Sequence, residues 1–320
     1  MPFKHFTYQP FSKEEILNLT SIRNGEQKIG EFIAHNWENA KNIKFVILGI
    51  EEEIGPQTNL GNPGAKNAFQ AFVTRFLSMQ ANRFIKPNFQ FIGKVTQTSS
   101  FSNQEDGKKQ IEQLDQIISD ILKPYIEQKL IPIVIGGGHN NAYPILKSFY
   151  ENKKQGIDVL NIDPHADFRA LEGRHSGNPF SYAHQDDFLN HYHVFGLHKA
   201  YNSENMLKNL EHAKVNFTFF DDYLLDPHQF QSDYESFFHK QKNAFGIEVD
   251  LDAIAGMPSS AYTPSGFSVT DIRRFLLHAK HQPFLHYYHF PEGAPTNELE
   301  QKIVGKSLAY FIFDIIHQIE

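Results

Sequence analysis

The chain has 320 residues, 40% of them hydrophobic and 14% aromatic, enough for one large core. Its net charge of −7, without a long basic run, argues against a nucleic-acid surface and leaves a small molecule as the expected partner. With no cysteine, disulfides, thiolate metal sites and a cysteine nucleophile are excluded.

The first thirty residues lack the basic-then-apolar secretory pattern, and no apolar stretch nears the roughly 18–20 residues that span a bilayer. A cytoplasmic protein with no membrane partner is the expectation. No repeat, low-complexity tract or linker interrupts the chain, so one domain over residues 1–320 is expected. Residues 1–43 form an N-terminal extension that the pattern leaves undetermined.

Taken in chain order, strands alternate with helices. Lys44–Ile50 (KFVILGI) has the short apolar look of a buried strand. From Ile111, apolar residues recur at 114, 117, 118, 121 and 122, which is one face of a helix. Strands are expected at Ile131–Ile135, Val159–Asp163, His193–Leu197, Val215–Phe219 and Ala244–Asp250. Ser268-Val-Thr-Asp then reads as a helix cap before Ile272, Phe275 and Leu276, followed by a strand near Phe284–His289. From Glu298, a last helix aligns Ile303, Leu308, Phe311, Ile312, Ile315 and Ile319. This alternation implies a mostly parallel sheet covered on both faces, in which ligands bind at the carboxyl ends of the strands.

The chemistry collects at three such ends. Asn161-Ile-Asp-Pro-His-Ala-Asp puts Asp163, His165 and Asp167 at alternate positions, so extended backbone would turn them to one face. Gly136-Gly-Gly-His-Asn-Asn places His139 after glycines that permit close backbone approach. Val249-Asp-Leu-Asp sets Asp250 and Asp252 two apart, where they repel unless a cation lies between them. Each stretch alone also reads as a solvated loop, but their joint occurrence argues for a site. Four Asp and two His balance two divalent ions. Structural zinc would favour Cys, and calcium or magnesium would rarely recruit two imidazoles. Two manganese ions fit best, with iron, cobalt and nickel as alternatives. Such a pair can activate water near neutral pH.

Jointly these stretches resemble the signatures of the arginase–agmatinase–formimidoylglutamase (ureohydrolase) family: G-G-G-H-N-N at 136–141, D-P-H-A-D at 163–167 and V-D-L-D at 249–252. Gly61-Asn-Pro-Gly-Ala-Lys resembles the family's glycine-rich substrate loop, and Glu292-Gly-Ala-Pro its E-x-x-P segment. The resemblance implies an α/β fold, a three-layer α/β/α sandwich around a mostly parallel sheet, in chains that often associate as homo-oligomers. It implies that His139, Asp163, Asp167 and Asp250 hold one ion, and Asp163, His165, Asp250 and Asp252 the other. Glu292 would receive the substrate's amidino or guanidino nitrogens, and Asp252 would relay a proton to the leaving group. Ser176 and Asn178, in the Ser-Gly-Asn triplet, would touch the substrate.

Three departures stand out. Gly138 replaces the usual Asp of the first signature, and Pro164 the usual Ala of the second. Phe180 takes the place of a proton-shuttling His two residues after Ser176-Gly-Asn, which leaves His175 as the candidate shuttle or a bystander. Arg169, two residues past Asp167, resembles the formimidoylglutamase branch, and its planar fork suits a substrate carboxylate. An ion pair with Glu172 is its other reading. Arg174 and Lys66 are the candidates for a second carboxylate. The expected function is hydrolysis of a linear amidine, N-formimino-L-glutamate, to L-glutamate and formamide. The alternatives are an arginase or another guanidino hydrolase, and a non-catalytic metal-binding relative.

Overall fold

The computed structural model describes residues 3–37 and 42–317. Nine strands make one sheet: β1 (Phe6–Gln9), β2 (Phe45–Glu51), β3 (Phe89–Gln97), β4 (Ile131–Ile135), β5 (Ile157–Ile162), β6 (Leu189–Leu197), β7 (Asn216–Phe219), β8 (Phe245–Val249) and β9 (Leu285–Phe290). Their order is β1-β3-β2-β4-β9-β8-β5-β6-β7. Only the edge strand β1 runs antiparallel, against β3. The central strand β2 is buried along its whole length because helices cover both faces of the sheet. Along β2, Phe45 and Ile47 enter one core, while Val46, Leu48 and Ile50 enter the other. The result is the expected α/β/α sandwich.

One layer holds the helices Ala68–Leu77, Gln229–Lys240, Val269–Ala279 and Glu298–Ile316, and the opposite layer holds Gln104–Glu127, Ala142–Lys153 and Pro179–Gln185. The first layer explains much of the phenylalanine content. Phe69, Phe72, Phe76, Phe89 and Phe91 pack edge and face with centroids 5.3–6.5 Å apart. A second aromatic knot joins Phe230, Phe238, Phe245 and Phe275.

The expected Ser268 cap is present. Its hydroxyl accepts from Asp271 N–H at 3.1 Å, and the Asp271 carboxylate accepts from Ser268 N–H at 3.0 Å. In the last helix Leu308, Phe311, Ile312 and Ile315 are buried as expected, whereas Ile303 is 39% exposed and Ile319 lies outside the described residues. The expected strands at 44–50 and 284–289 begin and end one residue later, since pairing with neighbours rather than hydropathy sets the ends. β1 and β3 went unforeseen. β1 is a four-residue edge strand, and the register of β3 against β2 shifts beside Gly93, so neither carries a clean alternation. Through β1, part of the undetermined extension joins the main sheet.

The placement of β8 and β9 matters most for the site. Inserted between β4 and β5, they make β4, β9, β8 and β5 neighbours, so four loops open side by side over a span of about 14 Å at the usual strand spacing. Among the described residues no helix is long and apolar enough to cross a membrane.

Candidate functional site

His139 follows β4 on a loop that needs its glycines. Gly136 and Gly137 sit at φ +89° and +67°, and a Cβ on Gly136 would lie 2.7 Å from the Ile50 carbonyl oxygen. The loop is tied to its neighbour β9, because Gly136 N–H donates to Phe290 O at 3.0 Å and Gly137 O accepts from Glu292 N–H at 3.0 Å. Gly138 has no room for a side chain: a Cβ there would sit 2.3 Å from Pro56 Cδ and 2.5 Å from Asn140 Oδ1. A buried carboxylate from the end of β2 supports this loop instead. Glu52 accepts from Gly138 N–H at 2.8 Å, Asn141 Nδ2 at 2.9 Å and Ile54 N–H at 2.7 Å. Glu52 escaped the sequence reading, although three consecutive glutamates closing an apolar strand are a readable anomaly.

The three signature stretches converge. His139 Nδ1 lies 2.8 Å from Asp167 Oδ2, 3.0 Å from Asp250 Oδ2 and 3.3 Å from Asp163 Oδ2. Ligand atoms of these four residues fall within 4.8 Å of one another; the side chains of His139, Asp163 and Asp250 are buried and that of Asp167 is 10% exposed. His165 stands alongside, its Nδ1 3.5 Å from Asp163 Oδ1 and 3.9 Å from Asp252 Oδ2, and its ring stacks on Tyr201. Backbone donors aim the carboxylates. His165 N–H donates to Asp163 at 2.7 Å, Asp252 N–H to Asp250 at 2.7 Å and Ala261 N–H to Asp252 at 2.9 Å.

The electrostatics ask for cations. Burial, then Asp252 and Asp163, raise the Asp250 carboxyl well above its usual range. Burial and Asp163 push Asp167 up to about 6. Burial also raises Asp163, but His139 and His165 more than reverse it and hold it near about 2. Burial disfavours charge on His139, yet the surrounding carboxylates raise it well above normal. Crowded acids that stay neutral only by taking up protons are groups whose protons a divalent ion replaces. With hard oxygens, two imidazoles and no thiolate, the donor set fits manganese or a similar transition ion.

Glu292 completes the floor. It adopts φ +67°, and Asp167 adopts +46°. Left-handed backbone at non-glycine residues costs about 1–3 kcal/mol and persists where surroundings impose it. Glu292 Oε1 accepts from His139 N–H at 2.6 Å, while the buried Oε2 has no partner. Burial and Asp252 push its carboxyl up to about 8.

Above these residues opens a cavity of about 760 Å³, lined by His165, Asp252, Glu292, Arg169, Ser176 and Asn59 among others. Arg169 is the one Lys or Arg among the lining residues. It is half exposed and also pairs with Glu172, Nη2 to Oε1 at 2.8 Å. Both sequence readings of Arg169 therefore coexist, and an exposed pair worth about 0–1 kcal/mol can exchange for a ligand. Three further candidates lie elsewhere. Arg174 is buried outside the lining, bound to Asp115 at 3.0 Å and Asn140 O at 2.9 Å and flanked by the Tyr143 and Tyr182 rings. Lys66 pairs with Glu53 at 2.8 Å. Asn178 lies under the loop, where its amide binds His175 N–H, Ala170 O and Gly173 O.

His175 is likewise buried beneath the lining. Its Nδ1 accepts from Gly177 N–H at 3.1 Å and its Nε2 faces Glu172 Oε1 at 3.2 Å, which commits both nitrogens to its own loop. Phe180 packs edge-on against the His139 ring, centroids 5.2 Å apart. Burial lowers the His175 pKa to about 4, against a usual 6.5. The unfolded chain therefore binds this proton first, and stability falls as pH drops from about 6.5 to 4. His175→Asn should show a shallower loss than wild type across that window in urea unfolding. Identical slopes would show that this imidazole is not held neutral.

A buried cluster of carboxylates and imidazoles over the strand ends of an α/β/α sandwich forms a candidate metal centre. A profile of the Arginase family matches residues 44–311. The chain belongs to the arginase family. Formimidoylglutamase of Salmonella paratyphi C is 23% identical over 231 residues, 70% of this chain and 67% of the relative. That of Macrococcus caseolyticus is 26% identical over 179 residues, 55% and 53% of the two chains. Among solved structures, Trypanosoma cruzi formiminoglutamase with Mn2+ aligns with a TM-score of 0.71 at 16% identity, covering 90% of this chain and 98% of the other. Bacillus subtilis formimidoylglutamase gives 0.73 at 15% identity, covering 96% and 91%. At these identities the structural matches speak to the fold.

Proposed function

We propose that the chain hydrolyses a linear amidine that bears carboxylates, N-formimino-L-glutamate, to L-glutamate and formamide. The observation that carries this reading is Arg169, the one Lys or Arg on the cavity wall among the described residues, beside the acid cluster. The formimidoylglutamase names of the sequence relatives support it. His139, Asp163, Asp167 and Asp250 would hold one divalent ion, and Asp163, His165, Asp250 and Asp252 a second. Bound there, such ions lower the pKa of water and polarise the substrate.

The chain's own residues do the rest. The unpartnered Oε2 of Glu292 receives the amidine N–H groups and orients the carbon towards the acid cluster. Asp252, whose Oδ2 accepts from the Ser260 hydroxyl at 3.3 Å, passes a proton to the departing nitrogen. That nitrogen leaves as the amine of glutamate, and the carbon takes up the oxygen of water as formamide. Arg169 grips one substrate carboxylate in a planar fork, exchanging it for Glu172. The amides of Asn59, Asn62 and Asn205 line the same cavity and are candidate donors for the second.

After manganese loading, initial rates with formiminoglutamate should exceed those with arginine and agmatine. Arg169→Met should raise KM for formiminoglutamate roughly tenfold to hundredfold, the loss of a charge-assisted contact of about 1.5–3 kcal/mol, with metal content unchanged. Arg169→Lys should recover part of it. Faster turnover of arginine would sink the substrate assignment and leave the hydrolase standing.

A further inference from the structure

Beneath the acid cluster, β8 and β9 carry titratable side chains that the reaction above does not use. Glu248, Tyr287 and His289 are all 0% exposed. The Tyr287 hydroxyl donates to Glu248 Oε1 at 2.7 Å, and His289 Nδ1 lies 2.5 Å from Glu248 Oε2. The same Oε2 stands 3.5 Å from His139 Nε2, a buried nitrogen with no hydrogen-bond partner of its own.

His139 turns Nδ1 to Asp163, Asp167 and Asp250. To offer an ion a lone pair from Nδ1, a neutral imidazole must keep its single proton on Nε2. That proton points away from the cluster, towards Glu248. The first signature supplies no carboxylate behind this ring, since residue 138 is glycine and its surroundings are filled by Pro56 and Asn140. Among the described residues, the one carboxylate within 4.0 Å of His139 Nε2 is that of Glu248 on β8.

We propose that Glu248 is a positioning residue for the metal centre. It accepts the Nε2–H of His139, fixes the tautomer that presents Nδ1, and raises the basicity of that nitrogen. Tyr287 and His289 hold its carboxylate in place by donating to its two oxygens. The inference rests on His139 being a metal ligand, as in the proposed function.

The test is manganese titration of the full chain, with free Mn2+ read by electron paramagnetic resonance, alongside thermal melting. Wild type should bind two ions. Glu248→Gln should keep its fold and lose affinity at one ion only, by roughly tenfold to hundredfold. In zinc-loaded, 15N-histidine-labelled protein, the Nε2–H signal of His139 should shift in the variant. Tyr287→Phe, which removes one donor to Glu248 and leaves His139 untouched, should give a smaller loss at the same ion. It decides the matter if Glu248→Gln does not fold. Unchanged affinity in whichever of the two variants folds would overturn the proposal and leave the metal centre standing. A third ion in wild type, released by Glu248→Gln, would make Glu248 a ligand and also overturn it. A wild type that binds no manganese would remove the metal reading itself.

Discussion

Asp250→Ala is expected to empty the metal centre. Asp250 reaches His139 Nδ1 through Oδ2 at 3.0 Å and binds Asp252 N–H through Oδ1 at 2.7 Å, so one carboxylate spans both halves of the cluster. Its removal takes a donor from each proposed ion at once. An ion pair contributes several kcal/mol to such reactions, which at about 1.4 kcal/mol per decade means on the order of a thousandfold or more in rate. His139→Ala should instead lose chiefly one ion. Without metal, Asp250→Ala should melt no lower than wild type, because burial beside Asp252 and Asp163 disfavours that charge in the folded chain. Wild type should gain stability on adding manganese, about 2.7 kcal/mol at a hundredfold excess over Kd, and the variant should not. Metal analysis that finds two ions retained in Asp250→Ala would show that the carboxylate does not bridge.

Glu292→Gln should cost turnover without costing metal. The backbone at φ +67° and the bond from His139 N–H to Oε1 at 2.6 Å hold this side chain in one place, and glutamine can keep that bond. What changes is the other end. Once a cationic amidine offsets the neighbouring charge of Asp252, Oε2 is a carboxylate acceptor for its N–H donors, and in the variant it becomes an NH2 that opposes them. A loss of about 2–4 kcal/mol is expected, roughly thirtyfold to a thousandfold in kcat, with manganese content and melting temperature close to wild type. A variant that turns over at the wild-type rate would leave this loop a packing role only.

Most of the cluster was legible in the sequence because its parts are local. Asp163, His165 and Asp167 lie within five residues at the end of an apolar strand, and Asp250 and Asp252 within three. Short-range geometry together with charge repulsion signals a cation there. Fold class was legible for the same reason, since most of the buried strands and the longest amphipathic helices announce themselves within about ten residues. Positions that depend on distant partners were not legible. Glu52 supports the His139 loop from 86 residues away, at Gly138. Glu248 reads in sequence as one polar residue inside a strand.

The sequence by itself determined seven of the nine strands, three of the longer helices, and the candidate ligand types with their order along the chain. Only the tertiary structure decided which candidates share a cavity. Insertion of β8 and β9 between β4 and β5 brings residues 139, 163, 250 and 292 onto adjacent strand ends, and strand order is a property of the sheet that no local pattern encodes. The same packing kept Arg169 on the cavity wall and removed Arg174, five residues on, to a buried pair with Asp115. Two guanidiniums alike in sequence differ because one found a buried carboxylate and the other kept its contact with water.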